Sequence, residues 1–544
     1  MRNWIRVTCV FFVSLVFLGY GIGRSGLAAA FSDRVSAMRA QDETTYAASA
    51  AELATHGGWM TPQILGRYFL VKPPLFIWLA AVSMKILGIS AFALRIPALL
   101  AGCLAITLLF CWPSETRSLW TACLTVVLLL ADPLWHTFAR LGYTDMLLVA
   151  SMASALFAVA RDPVASRGST LVIAGVAIAT GVMAKNLAGV LPIPILLAFY
   201  AVSRRSPPWA NLMKICALAA MLAAPWHIYQ LIAHRRWFWA DYVQVQLLEY
   251  GMHPPAPSGS GGPAWFYLKR LIFTDPLLCL LAAIAAPSLI RSIRNGKTDA
   301  ALLAAWLLVA AGAPLAFRYR NLPYLLPLIP PLCLAASRFG PLASRQGAKL
   351  TLTAAAMVFC VKVGFAGQTW GLQYSAAAPI PSEQSLRWYS GLRRPNELIA
   401  VNPDDEFYSM ALPLPKVRYC YIDNTGIVMR YAPHYAYLGI TVSAPQFEEL
   451  EIWEPKFRER LRAWGLDSPK PVATAIVATS TAEVVQIVQT HPRSDFYVPK
   501  DLAADIADLA AATHRPFPAA PGRSFLLALD SAPTSVDREK TRKW

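Results

Sequence analysis

The residues able to do chemistry in this chain are few and lie between long apolar runs. Asp42-Glu43 offers adjacent carboxylates, followed by Tyr46; Lys72 stands before Pro73-Pro74; Asp145 follows Gly142-Tyr143-Thr144. Lys185 ends one apolar run and precedes another, and Arg318, Arg320 and Tyr324 cluster at the edge of a third. Carboxylates can take a proton from a nucleophile or support an electron-deficient carbon, and cations can neutralise an anionic leaving group. Each also has a structural explanation. Asp42, Glu43 and Asp145 sit where helix caps belong; Lys72 can snorkel to headgroups; and the Arg318–Tyr324 group can anchor a span end. Lys185 is the hardest to explain away, because an ionisable residue near membrane depth is costly and points to function by default.

The elements that must position these residues are mostly membrane spans. Of 544 residues 56% are hydrophobic and only 15% charged, against about 25% charged in soluble domains. This excludes an ordinary soluble protein and implies a polytopic one. The net charge of +17 reads as basic cytoplasmic loops, not as a nucleic-acid surface. Eight of nine cysteines lie in or beside apolar runs and Cys420 is alone in the tail, so no disulfide framework or zinc spacing is expected.

Val7–Ile22 is a short apolar run after Arg2 and Arg6. It reads either as a retained first helix or, with Ala28-Ala29-Ala30 following, as a cleaved signal peptide. Both readings put the residues after Leu27 outside the cytoplasm. Tyr46, Ala50, Leu53 and Ala54 at helical spacing, stopped by Gly57-Gly58, predict one juxtamembrane helix. Pro73-Pro74 should open a second, running to Leu87-Gly88, too short to cross and so interfacial. From Phe92 onward apolar runs alternate with basic loops, such as Arg204-Arg205-Lys214 and Arg291-Arg294-Lys297, and with loops around 132–145, 185–186, 234–265 and 318–321. Spans are expected near 92–112, 118–135, 146–160, 170–184, 187–202, 213–232, 268–290, 300–316, 323–337 and 350–366. With the first helix that makes about eleven crossings, which puts the opening carboxylates and the tail on one outer side. The Pro254–Gly262 segment reads as a mobile outer loop.

From about Gln368 the character changes. Strands are expected at 398–401, 419–422, 436–442, 473–478 and 524–529, and helices at 447–464, 481–490 and 501–512. The fold class expected is therefore a polytopic α-helical membrane domain, 1–367, with juxtamembrane helices in the 23–91 loop, plus a small C-terminal α/β soluble domain, 368–544.

Asp42-Glu43-Thr44-Thr45-Tyr46-Ala47, Gly57-Gly58-Trp59, Lys72-Pro73-Pro74-Leu75, Ala93-Leu94-Arg95-Ile96-Pro97, Asp145 and Tyr324-Leu325-Leu326-Pro327 together resemble the GT-C glycosyltransferase superfamily. Within it the pattern is most similar to bacterial aminoarabinose (lipid A) transferases and family 39 protein-mannosyltransferase-like enzymes, over roughly residues 1–335. The resemblance implies a retained first helix, two juxtamembrane helices, and transfer of a sugar from a polyprenyl-phosphate donor on the periplasmic face of a bacterial inner membrane. It places Asp42 at the catalytic aspartate with Glu43 beside it and Asp145 at the second acidic position. Lys72, Lys185 and Tyr324 fall at donor-phosphate positions, which Arg318, Arg320 and Tyr46 would extend. Two departures stand out. Thr45 replaces a phosphate-binding arginine, and Val71 replaces the glutamate of Glu-Lys-Pro, a metal-binding position whose histidine partner is not evident near Gln246. No cofactor is expected, and a divalent metal lacks its usual ligands.

The reading is a membrane glycosyltransferase whose acceptor is lipid A, another glycan, a lipid or a protein; no nucleic-acid partner is expected. A transporter or lipid flippase would instead show internal pseudo-symmetry and mid-membrane charges. An inactive GT-C-like scaffold presenting the tail would keep the same spans.

Overall fold

The computed structural model describes residues 2–20, 22, 41–113, 118–249, 265–317, 320–339, 396–402, 417–422, 475–520 and 523–532, with isolated positions at 346–347, 349, 353, 388–389, 392, 459 and 462–463. In chain order, α1 (Arg2–Gly19) and α2 (Gln41–His56) precede a hairpin of β1 (Gln63–Ile64) and β2 (Arg67–Tyr68). Then come α3 (Leu75–Leu87), α4 (Ala91–Phe110), α5 (Leu119–Ala131), α6 (Pro133–Phe138), α7 (Asp145–Arg161), α8 (Gly168–Lys185), α9 (Pro192–Val202) and α10 (Trp209–His234). A π-helix (Trp239–Glu249) precedes α11 (Phe266–Thr274), α12 (Pro276–Arg294), α13 (Thr298–Gly312), a 3-10 stretch (Leu322–Leu328) and α14 (Ile329–Phe339). The chain divides into two compact units, 1–37 with 71–79 and 95–374, and 38–70 with 80–94 and 375–544.

Among the described residues six stretches are long and apolar enough to cross a membrane: Ala91–Phe110, Gly168–Val190, Trp209–His234, Pro276–Arg294, Thr298–Ala316 and Leu322–Phe339. Four shorter apolar helices accompany them, and the chain is a polytopic helical membrane protein. Two expected spans are each broken by a capping aspartate. Asp132 ends α5 and caps α6 by accepting from the Trp135 N–H at 2.6 Å, and Asp275 separates α11 from α12 by accepting from the Leu278 N–H at 2.8 Å. In each case the aspartate side chain accepts from a helix N–H that the break leaves without an intrahelical partner. The loop expected at 234–265 contains the π-helix in its first half; 254–262 lies outside the described residues, as does most of 350–366.

Inside the first unit the helices meet through small residues and aromatic wedges. A Cβ on Gly175 of α8 would come within 2.8 Å of Leu218 of α10. Trp112, at the end of α4, lies 5.7 Å from the Trp306 ring of α13 and 6.3 Å from Phe157 of α7. The Thr125 and Ser337 hydroxyls, 2.8 Å apart, join α5 to α14 without leaving either buried oxygen unpaired. Arg140 donates to the carbonyls of Leu18 and Tyr20 at 2.8 and 2.7 Å, a cation at the carboxy-terminal end of α1, where the helix dipole favours one.

The second unit contains a six-stranded sheet in the order β5-β4-β3-β6-β8-β7, built from β3 (Leu398–Val401), β4 (Val417–Ile422), β5 (Ile476–Ala478), β6 (Asp495–Pro499), β7 (His514–Ala520) and β8 (Arg523–Ala528). β5, β4, β3 and β6 are parallel, and β8 and β7 continue antiparallel. Helices α15 (Thr481–Thr490) and α16 (Lys500–Ala510) pack their apolar faces on Ile399, Cys420, Phe496 and Leu526. The strand expected at 436–442 and the helix at 447–464 fall outside the described residues, apart from positions 459 and 462–463. β6 and β7 were not expected, because Asp495 and the prolines of β7 obscure the alternation. Asp495 is buried but satisfied, accepting from the Tyr389 and Ser531 hydroxyls at 2.7 and 2.6 Å and the Ala528 N–H at 2.8 Å.

Candidate active site

Three of the sequence-predicted residues meet in the first unit. Asp145 opens α7 and Lys185 closes α8; they form an ion pair whose side chains are only 5% and 13% exposed. The Lys185 ammonium also lies 5.0 Å from the Tyr324 ring, within cation–π range. The local sequence explains why Lys185 stands there. Asn186 turns the backbone left-handed (φ 45°), and the 3-10 turn Asn186–Val190 folds back on α8. Gly189 lies against the Val182 backbone with no room for a Cβ, and a Cβ on Gly181 would come within 3.0 Å of Gly189. Tyr324 is presented by the 3-10 stretch, where Pro323 and Pro327 limit the backbone.

Lys72 belongs to the same unit and donates from Nζ to Gln246 Oε1 at 2.7 Å. This acceptor is a neutral amide on the π-helix, so this hydrogen bond does not itself cancel the ammonium charge. Arg320 braces its own turn, donating to the carbonyls of Pro314 and Phe317 at 2.8 and 2.5 Å, and its guanidinium sits 5.5 Å from the Tyr267 ring. Arg318 lies outside the described residues.

Asp42, Glu43 and Tyr46 lie in the second unit, on the first turns of α2. Asp42 is exposed, whereas Glu43 and Tyr46 are buried. Adjacent carboxylates thus have opposite environments, one exposed and the other buried.

Among the described residues, those at the expected positions do not fit a divalent metal. Val71 offers no donor, and Gln246 is engaged with Lys72. His227 uses both ring nitrogens, Nδ1 with the Ala223 carbonyl and Nε2 with the Tyr242 hydroxyl, each at 2.8 Å. Among the described residues no group of three His, Cys, Asp or Glu side chains could hold a metal ion. His253 lies outside them.

Sequence reasoning named Gln246 only as the place where a metal-binding histidine is not evident; its hydrogen bond to Lys72, 174 positions away, carries no signal in the sequence. Sequence reasoning missed Asp241, a buried carboxylate on the π-helix with one oxygen unpartnered. Glu52, on α2, was legible only as one polar position of a helix. Both its oxygens accept from the Gly66 N–H at 3.2 Å, and burial pushes its pKa up to about 7.

The fold is shared with ArnT from Cupriavidus metallidurans, solved in the apo state and bound to undecaprenyl phosphate. Each alignment has a TM-score of 0.61 and 16% identity and covers 98% of this chain, with 99% and 100% of the other. The archaeal oligosaccharyltransferase AglB from Archaeoglobus fulgidus, solved with an inhibitory peptide and a dolichol-phosphate, aligns with a TM-score of 0.50 and 12% identity over 84% of this chain and 69% of its own. The chain thus shares the fold of these proteins.

In sequence, residues 71–238 match the model of the dolichyl-phosphate-mannose-protein mannosyltransferase family. More particularly, the chain resembles the undecaprenyl phosphate-alpha-4-amino-4-deoxy-L-arabinose arabinosyl transferases. It is 27% identical over 316 residues to one from Sodalis glossinidius (55% of this chain, 54% of that protein). It is 25% identical over 320 residues to one from Aeromonas salmonicida (54% of this chain, 55% of that protein). The chain spans about half the length of the curated relatives it matches.

Proposed function

We propose that the chain is a membrane glycosyltransferase that moves a sugar from a polyprenyl-phosphate donor to an acceptor on the periplasmic side of a bacterial inner membrane. The observation that carries the reading is a fold shared over 98% of the chain with a protein solved bound to undecaprenyl phosphate. The acceptor is lipid A, another glycan, a lipid or a protein. The membrane domain, residues 1–367 with about eleven crossings, carries the chemistry, and the α/β domain, 368–544, faces the same periplasmic side.

In this reading Lys72 and Lys185 bind the donor phosphate, and Tyr324, Tyr46, Arg318 and Arg320 are further donor-binding residues. Asp42 takes the proton of the acceptor nucleophile as that atom bonds to the anomeric carbon. The bond from that carbon to the phosphate oxygen breaks, and the electron pair leaves with the polyprenyl phosphate. The leaving group then carries an additional negative charge, which two ammonium groups stabilise most where it develops. Glu43 supports Asp42 from within the protein. Asp145 holds the Lys185 ammonium in place, and the incoming phosphate competes with it for that cation. Lys72 donates to the neutral amide of Gln246.

The test is Asp42→Asn in the full chain. Transfer should fall by about a thousandfold or more, while membrane insertion and thermal melting stay as in the parent. Full transfer by that variant would refute the catalytic assignment. Mass spectrometry of cell-envelope glycolipids and glycans with and without the protein then names the sugar and its acceptor.

A further inference from the structure

Helix α11 carries two cations on a face that is otherwise apolar. Tyr267 and Leu271, one turn apart, are its buried positions. Exposed on the helix and its cap are Trp265, Leu268, Lys269, Arg270, Ile272 and Phe273. At about 100° per residue Lys269 falls in the middle of that arc, between Trp265 with Ile272 on one side and Phe266 with Phe273 on the other. The contacts agree. Lys269 Nζ lies 5.1 Å from the Trp265 ring centre and 5.9 Å from that of Phe273, and the Arg270 guanidinium lies 5.4 Å from the Phe266 ring. Among the described residues neither cationic side chain has an ion pair or a hydrogen bond. The stretch 265–274 contains no acidic residue.

The break after α11 sets the depth of this face. Asp275 has non-helical backbone (φ −140°, ψ 76°) and caps α12, an apolar helix that ends on Arg291 and Arg294. Basic span ends belong in the cytoplasm, which puts Asp275 and α11 at the outer end, where the chain leaves the hydrocarbon. A lysine in the centre of a lipid-facing arc is costly among acyl chains and favourable at headgroup level. A tryptophan beside it suits the same level. Along α12, Leu277, Leu280 and Ile284 are exposed at helical spacing, a stripe suited to acyl chains. The buried side of α11 is fixed to the turn that carries Tyr324: the Tyr267 hydroxyl accepts from the Asn321 N–H at 3.3 Å, and its ring lies 5.5 Å from the Arg320 guanidinium.

We propose that α11 is an interfacial docking surface for an anionic phospholipid of the outer leaflet. Lys269 and Arg270 take the headgroup phosphate, the rings of Trp265 and Phe273 border it, and the acyl chains lie along Leu277, Leu280 and Ile284. Charge complementarity selects this occupant. Two cations without a carboxylate partner call for an anion, and an arginine fork suits phosphate oxygens. The exposed apolar residues around them call for an amphiphile, which a soluble phosphate is not. Neither Lys269 nor Arg270 is among the residues assigned to the sugar donor, so the surface is additional to that site and does not rest on the transferase reading.

The experiment uses the full chain in detergent micelles, beside Lys269→Gln with Arg270→Gln and, at the other end of α12, Arg291→Gln with Arg294→Gln. Each protein is titrated with phosphatidylglycerol or with phosphatidylcholine of the same chains. Bound lipid is counted by native mass spectrometry, and amide hydrogen exchange of residues 265–274 is followed in the same mixtures. The parent should take up phosphatidylglycerol at about tenfold lower concentration than phosphatidylcholine, with slower exchange over 265–274. Replacing Lys269 and Arg270 should weaken phosphatidylglycerol binding about tenfold, leave phosphatidylcholine unchanged and abolish the slowing. The variant at Arg291 and Arg294 should keep the slowing. Equal slowing by the two lipids in the parent, or parental slowing once Lys269 and Arg270 are replaced, overturns the proposal. So does displacement of phosphatidylglycerol by an equal concentration of inorganic phosphate. Undecaprenyl phosphate that protects 265–274 at lower concentration than phosphatidylglycerol overturns it in favour of a polyprenyl lipid. None of these readouts involves sugar transfer, so each outcome leaves the transferase reading to its own test.

Discussion

Asp145 in the first unit and Glu52 in the second are both carboxylates withdrawn from water, yet they are held by different means. Asp145 faces the Lys185 ammonium, itself against the Tyr324 ring. Glu52 faces mainly neutral donors, the Gly66 N–H and the Tyr419 hydroxyl, with Arg67 as the last of the influences on it. An opposite charge in contact can offset much of the loss of hydration, whereas neutral donors offset less. The first arrangement makes a fixed pair of charges. The second makes a group that changes charge near neutral pH and is poorly suited to holding an anion.

The comparison breaks first at Asp145. Asp145→Ala leaves Lys185 largely buried without its counter-charge and should cost about 3 kcal/mol of stability and at least about a hundredfold in transfer. Asp145→Ala with Lys185→Met should recover much of the stability and none of the activity; thermal melting and donor turnover measured side by side check both. If the double variant melts no higher than the single, the pair is not what holds α7 to α8 at this point.

Glu52 should show the reverse dependence. Its folded-state pKa, about 7, lies above the ordinary 4.5, so the folded protein binds this proton more tightly than the unfolded chain. The stability linked to it is fully present below pH 4.5, falls as the pH rises to about 7 and is level above that. The difference is roughly 3 kcal/mol, and it is absent in Glu52→Gln. Melting temperatures at pH 5 and pH 8 give the sign directly: the parent should gain more on acidification than the variant does.

Gly66→Ala sharpens the same region. With φ at 70° and the Ala475 backbone and side chain within 3.0 Å of a new Cβ, it should cost about 2 kcal/mol and speed amide exchange in 63–68 and in α2. The smallest effect is expected at Gln246→Ala. Removing the amide that holds Lys72 should raise the donor KM about fivefold with little change in kcat. Gln246→Glu should raise it further by cancelling the charge.

The six long apolar stretches among the described residues were legible in the sequence because lipid demands long apolar runs with satisfied backbones, and that demand is local. Helix α2 and its stop at Gly57, α3 after Pro74, and α7 starting at Asp145 all follow from caps and breakers acting over one turn. The breaks at Asp132 and Asp275 were not legible, since a lone aspartate in an apolar run signals a cap only once the chain turns there. In the tail, β3, β4, β5 and β8 showed their period, whereas β6 begins with Asp495, whose burial makes sense only with Tyr389, Ala528 and Ser531 around it.

Residue types were thus settled by the sequence: which side chains are charged, which of them border apolar runs, and which resemble a transferase motif. Partners were settled by the tertiary structure alone. That Lys185 meets Asp145 across 40 positions, that Lys72 meets Gln246 across 174, and that Leu65 meets Tyr421 across 356 depends on chain folding. Contact energies act over a few ångströms of space and are blind to distance along the chain, so no local pattern records them.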